Sequence, residues 1–431
     1  MVTKWTTPVA VIGAGPVGLF TALLIAQAGI KVTVFETGSN LDRSPRAVAY
    51  FPAVLEEFSK AGILEAVKEA GDNNTEGCDW RDGKANMLFP LTAPPDDPNF
   101  AVCLSQPEFC KLALDALLKT DNADVLSSHH LQRLEQRDDS VSYWVQDQAN
   151  SCEIEGTCRY LVGTDGARST VRKSLGVKLE GYTWDSLQFV AVNFQYALSD
   201  FGWKPATFFV DPIDWGIVVK RGKGTKWRFA TGVQKEHTQN AAALDEATIA
   251  VVKDRLCRLL PGDTSKIEYE ALAPYTIHQR CATHYRVRNV LLAGDAAHLN
   301  NPVGGLGLTT GLLDAAHLAD GLKQVLLEAA SPDVLTEYAE KRRAIFRDVT
   351  DPISTENLLR LMSTSPTDIK KREDFFATLR NPKEFSLKVQ AGLPDFSLTT
   401  TSSAKFSVHQ EITWFISVTK PDGWTTEIFE Q

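Results

Sequence analysis

Apolar residues run from Val9 to Ile12, break at a cluster of glycines, and resume at Leu19 as an alanine- and leucine-rich stretch up to Gly29. A short apolar run, a glycine turn and a longer apolar run predict a strand feeding a buried helix. Lys31 to Glu36 reads as a second strand by its β-branched residues. Val54, Leu55, Phe58, Ile63, Leu64 and Val67 then mark the buried stripe of a helix, and residues 71–100, rich in Asp, Asn, Gly and Pro, read as loops and short strands. Another helix opens at Ser105-Gln106-Pro107, with proline at a favoured first-turn position and Phe109, Leu112, Ala113 and Leu117 at helical spacing.

Strand-like segments over 129–163 return to a short apolar run, Tyr160 to Gly163, that meets Thr164-Asp165-Gly166 and a further helix. Phe189–Tyr196, Thr207–Val210, Trp215–Lys220 and Trp227–Gly232 are predicted strands, rich in aromatic and β-branched residues with turns between them. A helix is predicted over 244–261 from Leu244, Ala247, Val251, Val252, Leu256, Leu259 and Leu260. The apolar Leu291-Leu292-Ala293 then ends in Gly294-Asp295, followed by the run Asn301-Pro302-Val303-Gly304-Gly305-Leu306-Gly307. Leu312, Ala315, Ala316, Ala319, Leu322 and Leu326 predict a helix after that run, and Pro332–Val349 another. Beyond Pro394 the tail carries Phe396, Phe406, Trp414, Phe415, Trp424 and Phe429, too aromatic to read as disordered; it packs on the substrate region or forms a dimer contact.

The pattern interleaves two units. The predicted fold is α/β: a Rossmann-like domain from residues 1–75, 100–180 and 281–330, a β-sheet substrate domain from 76–99 and 181–280, and a C-terminal helical region and tail over 331–431. With 431 residues, 43% of them hydrophobic, the chain can bury a large core. A formal net charge of −9 argues against a general nucleic-acid or acidic-membrane surface. Seven scattered cysteines without a CxxC pair read as reduced thiols of a cytoplasmic protein. Residues 8–30 imitate a signal peptide or a membrane span, but three glycines and a proline interrupt them, and no other segment is long and apolar enough to span a bilayer.

Chemistry concentrates where the predicted strands end. In Gly13-Ala14-Gly15-Pro16-Val17-Gly18, Gly13 permits the tight turn, Gly15 lets backbone approach a pyrophosphate, and Gly18 allows close helix–strand packing. Glu36, closing the second strand, can accept both ribose hydroxyls of an adenosine and would repel a 2′-phosphate, so this site suits FAD or NAD rather than NADP. Asp165-Gly166 alone is compatible with an ordinary turn. Gly294-Asp295 with its glycine run places a carboxylate and free amides at a second site far along the chain, which suggests one long cofactor.

GxGxxG with Glu36, then GTDGARSTVR, then LLAGDAAHLNNPVGGLG, together resemble the FAD-dependent aromatic hydroxylases, the single-component flavoprotein monooxygenases of the para-hydroxybenzoate hydroxylase type, over the first 325 residues or so. The resemblance implies that Gly13, Ala14, Gly15, Pro16, Val17, Gly18 and Glu36 hold the ADP half of FAD, that Arg46 and Gln106 lie along the cofactor, and that backbone at Leu131 meets the adenine. It implies that Asp165 and Gly166 belong to the motif linked to FAD and pyridine nucleotide, and that Asp295 contacts ribityl or pyrophosphate oxygens. Pro302, Gly304, Gly305, Gly307 and Leu308 would line the flavin ring. The sequence departs from the pattern at Thr309, where many relatives carry asparagine, and at Asn301, which replaces a common first proline. The implied activity consumes NADPH or NADH, bound transiently, and dioxygen; a flavin hydroperoxide delivers one oxygen to a phenolic, polycyclic or heterocyclic substrate. No metal is implied, and a homodimer is compatible with the family.

A phenol reacts faster once deprotonated, so a base or proton relay is expected. The candidates are His278, which titrates in a useful range, Trp215, where relatives place an aromatic near the substrate, and Arg46, a counter-charge to flavin or substrate. Against each stands a plainer role: a hydrogen-bonded structural histidine, sheet packing, and a solvated loop arginine. His298 reads as structural, and Tyr50 and Asp211 as cavity candidates. Alternative activities on the same scaffold are epoxidation and Baeyer–Villiger insertion; a halogenase is disfavoured by the absence of WxWxIP, and a noncatalytic FAD-binding redox sensor is the alternative from another class.

Overall fold

The computed structural model describes residues 4–42, 44, 46–92, 101–234 and 245–380. The aromatic tail, residue Leu244 of the predicted 244–261 helix and most of the 71–100 loop beyond Thr92 lie outside the described residues. Two sheets organise the molecule. The first follows the path Arg286–Val287, Val290–Leu292, Cys152–Gly163, Lys4–Ile12, Val32–Phe35, Ala123–Leu126, with Val141–Asp147 and His129–Gln136 branching from Cys152–Gly163. Its central strands run parallel. Helices cover it, so Val9 to Ile12 and Val32 to Phe35 are buried on both faces, which is why those segments are continuously apolar. Parallel pairing also brings the ends of Lys4–Ile12, Cys152–Gly163 and Val290–Leu292, and hence all three motifs, to one edge.

The second sheet has seven strands in the order Glu268–Tyr275, Leu187–Gln195, Lys226–Gln234, Gly216–Lys220, Ala206–Val210, Cys78–Asp82, Met87–Leu91. Period-two alternation sorts its faces. Val190, Val192, Phe194, Trp227 and Phe229 pack with Val252, Leu256 and Leu259 of the helix Glu246–Leu259, whose start is capped by Asp245 accepting from the Thr248 amide. Leu187, Phe189, Trp80 and Phe208 point the other way, into a cluster that also contains Phe51, Val303, Leu358 and Phe376. That face therefore meets the glycine run and the last helices. The predicted strands are present, each shifted by one or two residues at its ends.

Leu306–Leu327 forms the helix after the glycine run. The predicted 332–349 helix is Asp333–Ile345; it continues through a widened π turn, Phe346–Thr350, into Asp351–Met362, and Pro366–Leu379 closes the described chain. Pro352 has no N–H to donate back into the preceding turn, and the π turn absorbs that interruption. Among the described residues no helix is long and apolar enough to cross a membrane.

Candidate active site

The phosphate loop is built by steric exclusion. Gly13 has φ +104°, and a Cβ there would lie 2.6 Å from the Thr164 carbonyl oxygen; one on Gly18 would lie 1.9 Å from the Gly13 carbonyl oxygen. Thr164 Oγ1 donates to the Ile12 carbonyl at 2.9 Å, tying the ends of the two strands together. Gly15 is different: nothing lies within 4 Å of its would-be Cβ, so its backbone is open to an approaching group. It caps the helix Pro16–Gln27, with proline in the first turn, and the free amides there favour an anion. Val17 faces inward, its Cγ2 2.9 Å from the Cβ positions of Gly294 and Gly311, so the first and third motifs pack directly against each other.

Glu36 is held from both sides. Oε2 accepts from the Ala14 amide at 2.7 Å and Oε1 from the Gly38 amide at 2.7 Å. Each carboxylate oxygen retains a second lone pair, the acceptor set a ribose diol needs. The Glu36 carbonyl takes the His129 amide at 2.7 Å, so the next strand starts beside it; Leu131, buried, lies two residues on.

Asp165 turns its carboxylate inward. It accepts from Ser169 Oγ at 2.5 Å and from the Thr170 and Val171 amides at 2.6 and 3.1 Å, closing the start of the helix Thr170–Ser174. Gly166, at φ +77° with open space around it, leaves its backbone free. Asp295 does the opposite: its side chain is exposed. Surrounding protein nevertheless raises its carboxyl by burial, opposed by His298 and Arg46. Solvent access inside so much protein mass places Asp295 on the floor of a cleft.

Behind that floor lies a buried ionic network. His298 Nε2 is 2.6 Å from Asp314 Oδ2, Arg342 Nε donates to Asp314 Oδ1 at 2.7 Å, and the Gly294 amide donates to Asp314 Oδ2 at 3.1 Å. Burial, the largest influence, raises the Asp314 carboxyl, yet His298 and Arg342 hold it down to about 2. His298 is structural, as expected. Asp314 and Arg342 were not anticipated, although Asp314 is the single charged residue in the apolar stretch from Leu306 to Ala319, a visible signal.

Three glycines shape the run facing this floor. Gly304 and Gly305 have φ +96° and +68°, and the Cβ of Gly305 would fall 2.9 Å from the Phe51 ring. Gly305 caps the helix Leu306–Leu327, so that helix's positive end points where a flavin ring would lie. Gly307 sits against Asn300, and Leu308 packs partly buried against the core. Pro302 accepts the Gly305 amide at 3.1 Å. Asn301 anchors the loop: its amide donates to Gln279 Oε1 at 2.6 Å, its Nδ2 donates to the Ser354 carbonyl at 2.8 Å, and its Oδ1 accepts from the Val303 amide at 3.0 Å. Thr309 bonds back to the Gly305 carbonyl at 3.0 Å, which ties its side chain to the start of its own helix.

The segments that carry Arg46 and Gln106 are joined by pairing. Ala49 pairs with Cys103, and the Leu104 amide bonds the Val48 carbonyl at 2.9 Å, carrying the register toward Arg46 and Gln106. Arg46 is exposed, with Nε 3.1 Å from Ser44 Oγ and 3.5 Å from Asp42, yet its charge also bears on both Asp295 and Tyr275. It bridges the cofactor floor and the second sheet. Trp215 is buried edge-on to Phe189, ring centroids 5.4 Å apart, with Phe189 in turn 5.5 Å from Tyr275. These rings form a row on the sheet face toward the glycine run.

His278 lies elsewhere. Its Nδ1 is 2.8 Å from Thr183 Oγ1, and burial, with Arg280, lowers its pKa. The neighbouring Gln279, on the other side of the same strand, is the residue bonded to Asn301, and among the described residues no contact joins His278 to Arg46, Trp215 or the glycine run. Tyr50 and Asp211 take a core position and a turn position. Tyr50 packs tilted in the core against Phe58 and Phe109, which stack on each other, and Asp211 caps a turn through the Ile213 and Asp214 amides.

An open phosphate loop, a pinned diol acceptor, an accessible carboxylate and a glycine run under an aromatic sheet fit FAD from its adenosine end to its ring. The chain belongs to the FAD-binding class A flavoprotein monooxygenases: residues 6–352 match the family described as "FAD binding domain". It is an FAD-dependent aromatic monooxygenase, similar to para-nitrophenol 4-monooxygenase of Pseudomonas sp. (strain WBC-3), at 35% identity over 83% of this chain and 88% of that one. It is 31% identical to 6-hydroxy-3-succinoylpyridine 3-monooxygenase HspB of Pseudomonas putida (strain DSM 28022 / S16), over 84% and 91% of the two chains. The crystal structure of p-nitrophenol 4-monooxygenase PnpA from Pseudomonas putida DLL-E4 superposes with a TM-score of 0.81 at 34% identity, covering 89% of this chain and 96% of that one.

Proposed function

We propose that the enzyme hydroxylates a single-ring hydroxyarene, a phenol or hydroxypyridine, using NADPH or NADH and dioxygen. The observation that carries this reading is the aromatic row Tyr275–Phe189–Trp215, set on a sheet face that shares one apolar cluster with Phe51 and Val303 of the glycine run. FAD, when bound, would relay the two reducing equivalents of NADPH or NADH and activate dioxygen. The protein supplies position, dryness and charge. Phe51, Val303, Phe189 and Trp215 exclude water, and the start of the Leu306–Leu327 helix stabilises negative charge at the ring. Burial raises the Tyr275 phenol, against the pull of Arg228 and Arg46, so Tyr275 remains a hydrogen-bond donor for a substrate phenolate. The substrates for which the relatives are named, a nitrophenol and a hydroxypyridine, fit the same chamber chemistry.

The test is an anaerobic titration of FAD-loaded protein with NADH and NADPH, across a panel of hydroxyarenes, followed by admission of labelled dioxygen. Faster flavin bleaching with one compound, and one labelled oxygen in its product, is the expected result. Loss of the flavin colour to NAD(P)H at one rate with every compound, and no labelled product, would refute it.

A further inference from the structure

The row of aromatic rings closes over a glycine. Trp215 immediately precedes the strand Gly216–Lys220, whose register, Val218 with Phe229 and Ile217 with Ala230, carries it opposite Gly232. On its other side Gly232 pairs with Phe189. Rings from both neighbouring strands thus lean over one position that has no side chain. A Cβ on Gly232 would lie 2.8 Å from Trp215 Cζ2 and 3.4 Å from Phe189 Cε2, so the indole lies against bare backbone. The glycine sets how near the ring comes to the strand. How far it reaches along the chamber wall is set by the backbone that carries it.

That backbone is held from behind. Thr231 pairs with Val190, which packs on the helix Glu246–Leu259, so the Thr231 side chain takes the face of the sheet opposite the rings. Its Oγ1 donates to the Trp215 carbonyl at 2.7 Å and accepts from Arg255 Nη1 at 2.5 Å; the same nitrogen donates to the Gly232 carbonyl at 2.9 Å. Arg255 Nε lies 3.5 Å from Asp214 Oδ1, and Arg258 closes on that carboxylate from Nε at 3.1 Å and Nη2 at 2.6 Å. Thr231 and Arg255 are both buried. One guanidinium on the outer helix therefore reaches residues 214, 231 and 232 together, and through Thr231 the carbonyl of Trp215. A planar fork can span these acceptors, whereas a lysine ends in one point charge.

We propose that Arg255 is a positioning residue: acting through Thr231, it holds the Trp215 indole as a wall of the hydroxyarene chamber and so limits the width of the ring system that enters. This rests on the hydroxyarene reading above. Releasing the grip changes selectivity more than stability, because Asp214 keeps both bonds from Arg258 when Arg255 is removed.

The experiment compares the binding of two matched rings. FAD-loaded wild type and variants are dialysed to equilibrium against 4-nitrophenol and against 4-nitro-1-naphthol, which keeps the hydroxyl and nitro groups and adds one fused ring at the edge. Wild type is expected to bind the single ring at least about tenfold more tightly, the low end of what a pocket wall achieves against extra carbon. Arg255→Met, and independently Thr231→Val, which removes the link without touching a charge, should bring the two affinities within about threefold, while Thr231→Ser restores the wild-type ratio. Trp215→Ala should also admit the fused ring, and adding Arg255→Met to it should change the ratio by less than about twofold, because the residue acted upon is gone. A purely structural Arg255 would weaken both compounds alike, with or without Trp215. That result, a ratio unchanged in Arg255→Met or Thr231→Val, or a wild type indifferent to the fused ring would overturn the proposal. A wild type that binds neither compound would overturn the hydroxyarene reading and the proposal with it. Selectivity that responds as expected without any oxygenated product would count against the hydroxylation reading alone.

Discussion

Asp314→Asn tests whether the buried network, rather than the glycine loops alone, holds the Gly294-Asp295 turn in place. The carboxylate accepts three donors, from Gly294, His298 and Arg342. Asparagine offers one oxygen and one amide, so its amide must point at a donor in either orientation and the Arg342 guanidinium loses its counter-charge. Breaking one partner of a buried pair costs about 3–5 kcal/mol. For a chain of this length one kcal/mol corresponds to roughly 1 °C in unfolding temperature, so the variant should unfold about 3–5 °C earlier by intrinsic fluorescence. The pH dependence adds a second constraint. The folded Asp314 carboxyl lies at about 2, below its ordinary 3.8, so its stabilising contribution is complete above 3.8 and is lost as pH falls toward 2. That contribution is on the order of 2 kcal/mol, and the gap between wild type and variant should narrow by about that much across the window. Unfolding within 1 °C of wild type at neutral pH, or a gap that does not change with acid, would refute the reasoning.

Gly18→Ala sets a methyl group against the Gly13 carbonyl and should strip FAD from the purified protein, read as the flavin-to-protein absorbance ratio; full flavin content would show that the loop can shift. Glu36→Gln loses one acceptor for the Ala14 or Gly38 amide and should weaken FAD binding by about tenfold in a fluorescence titration, the size of one charge-assisted bond. His278→Ala should keep turnover within about threefold of wild type, whereas a loss of about 100-fold would make it the base. Gln279→Leu, which unties Asn301, should lower substrate-dependent flavin reduction without lowering FAD content; unchanged reduction kinetics would remove the anchor from the account.

Much of the cofactor side was legible because its constraints are local. Gly13 and Gly18 are glycines for reasons a turn and a close helix approach impose within six residues, and Glu36 ends the strand beside them. The substrate side depends on contacts that sequence spacing does not encode. Tyr275 and His278 are three residues apart, yet pairing places Tyr275 beside Phe189 and sends His278 to Thr183. His278 attracted notice by its titration range and Tyr275 did not, because which face each residue takes is fixed by distant partners. Tyr50 is a related case, since a lone tyrosine after a polar loop gives no sign of the phenylalanines at 58 and 109 that it packs against. Asn301 looked like a departure from the family's proline; in the fold it ties the glycine-rich loop to Gln279 and Ser354.

The buried arginines differ in how far the fold compensates their charge. Arg342 sits against Asp314, and removing either partner leaves a charge stranded in the core, so both are required for stability. Arg228, 7% exposed, has one amide oxygen for company among the described residues, so the folded protein bears its desolvation. The two sites predict opposite signs for the same kind of surgery: neutralising the network destabilises, and neutralising Arg228 does not. Arg46 is the intermediate case, exposed and paired with Asp42, yet close enough to bear on Asp295 and Tyr275 together. Removing its charge should lift the Asp295 carboxyl further above its ordinary value, because one of the two influences opposing burial is lost. In Arg46→Gln the acid limb of FAD affinity should therefore move to higher pH. An acid limb that does not move would mean that Asp295 is ionised without help from Arg46, and the link from cofactor floor to substrate sheet would have to run through other residues.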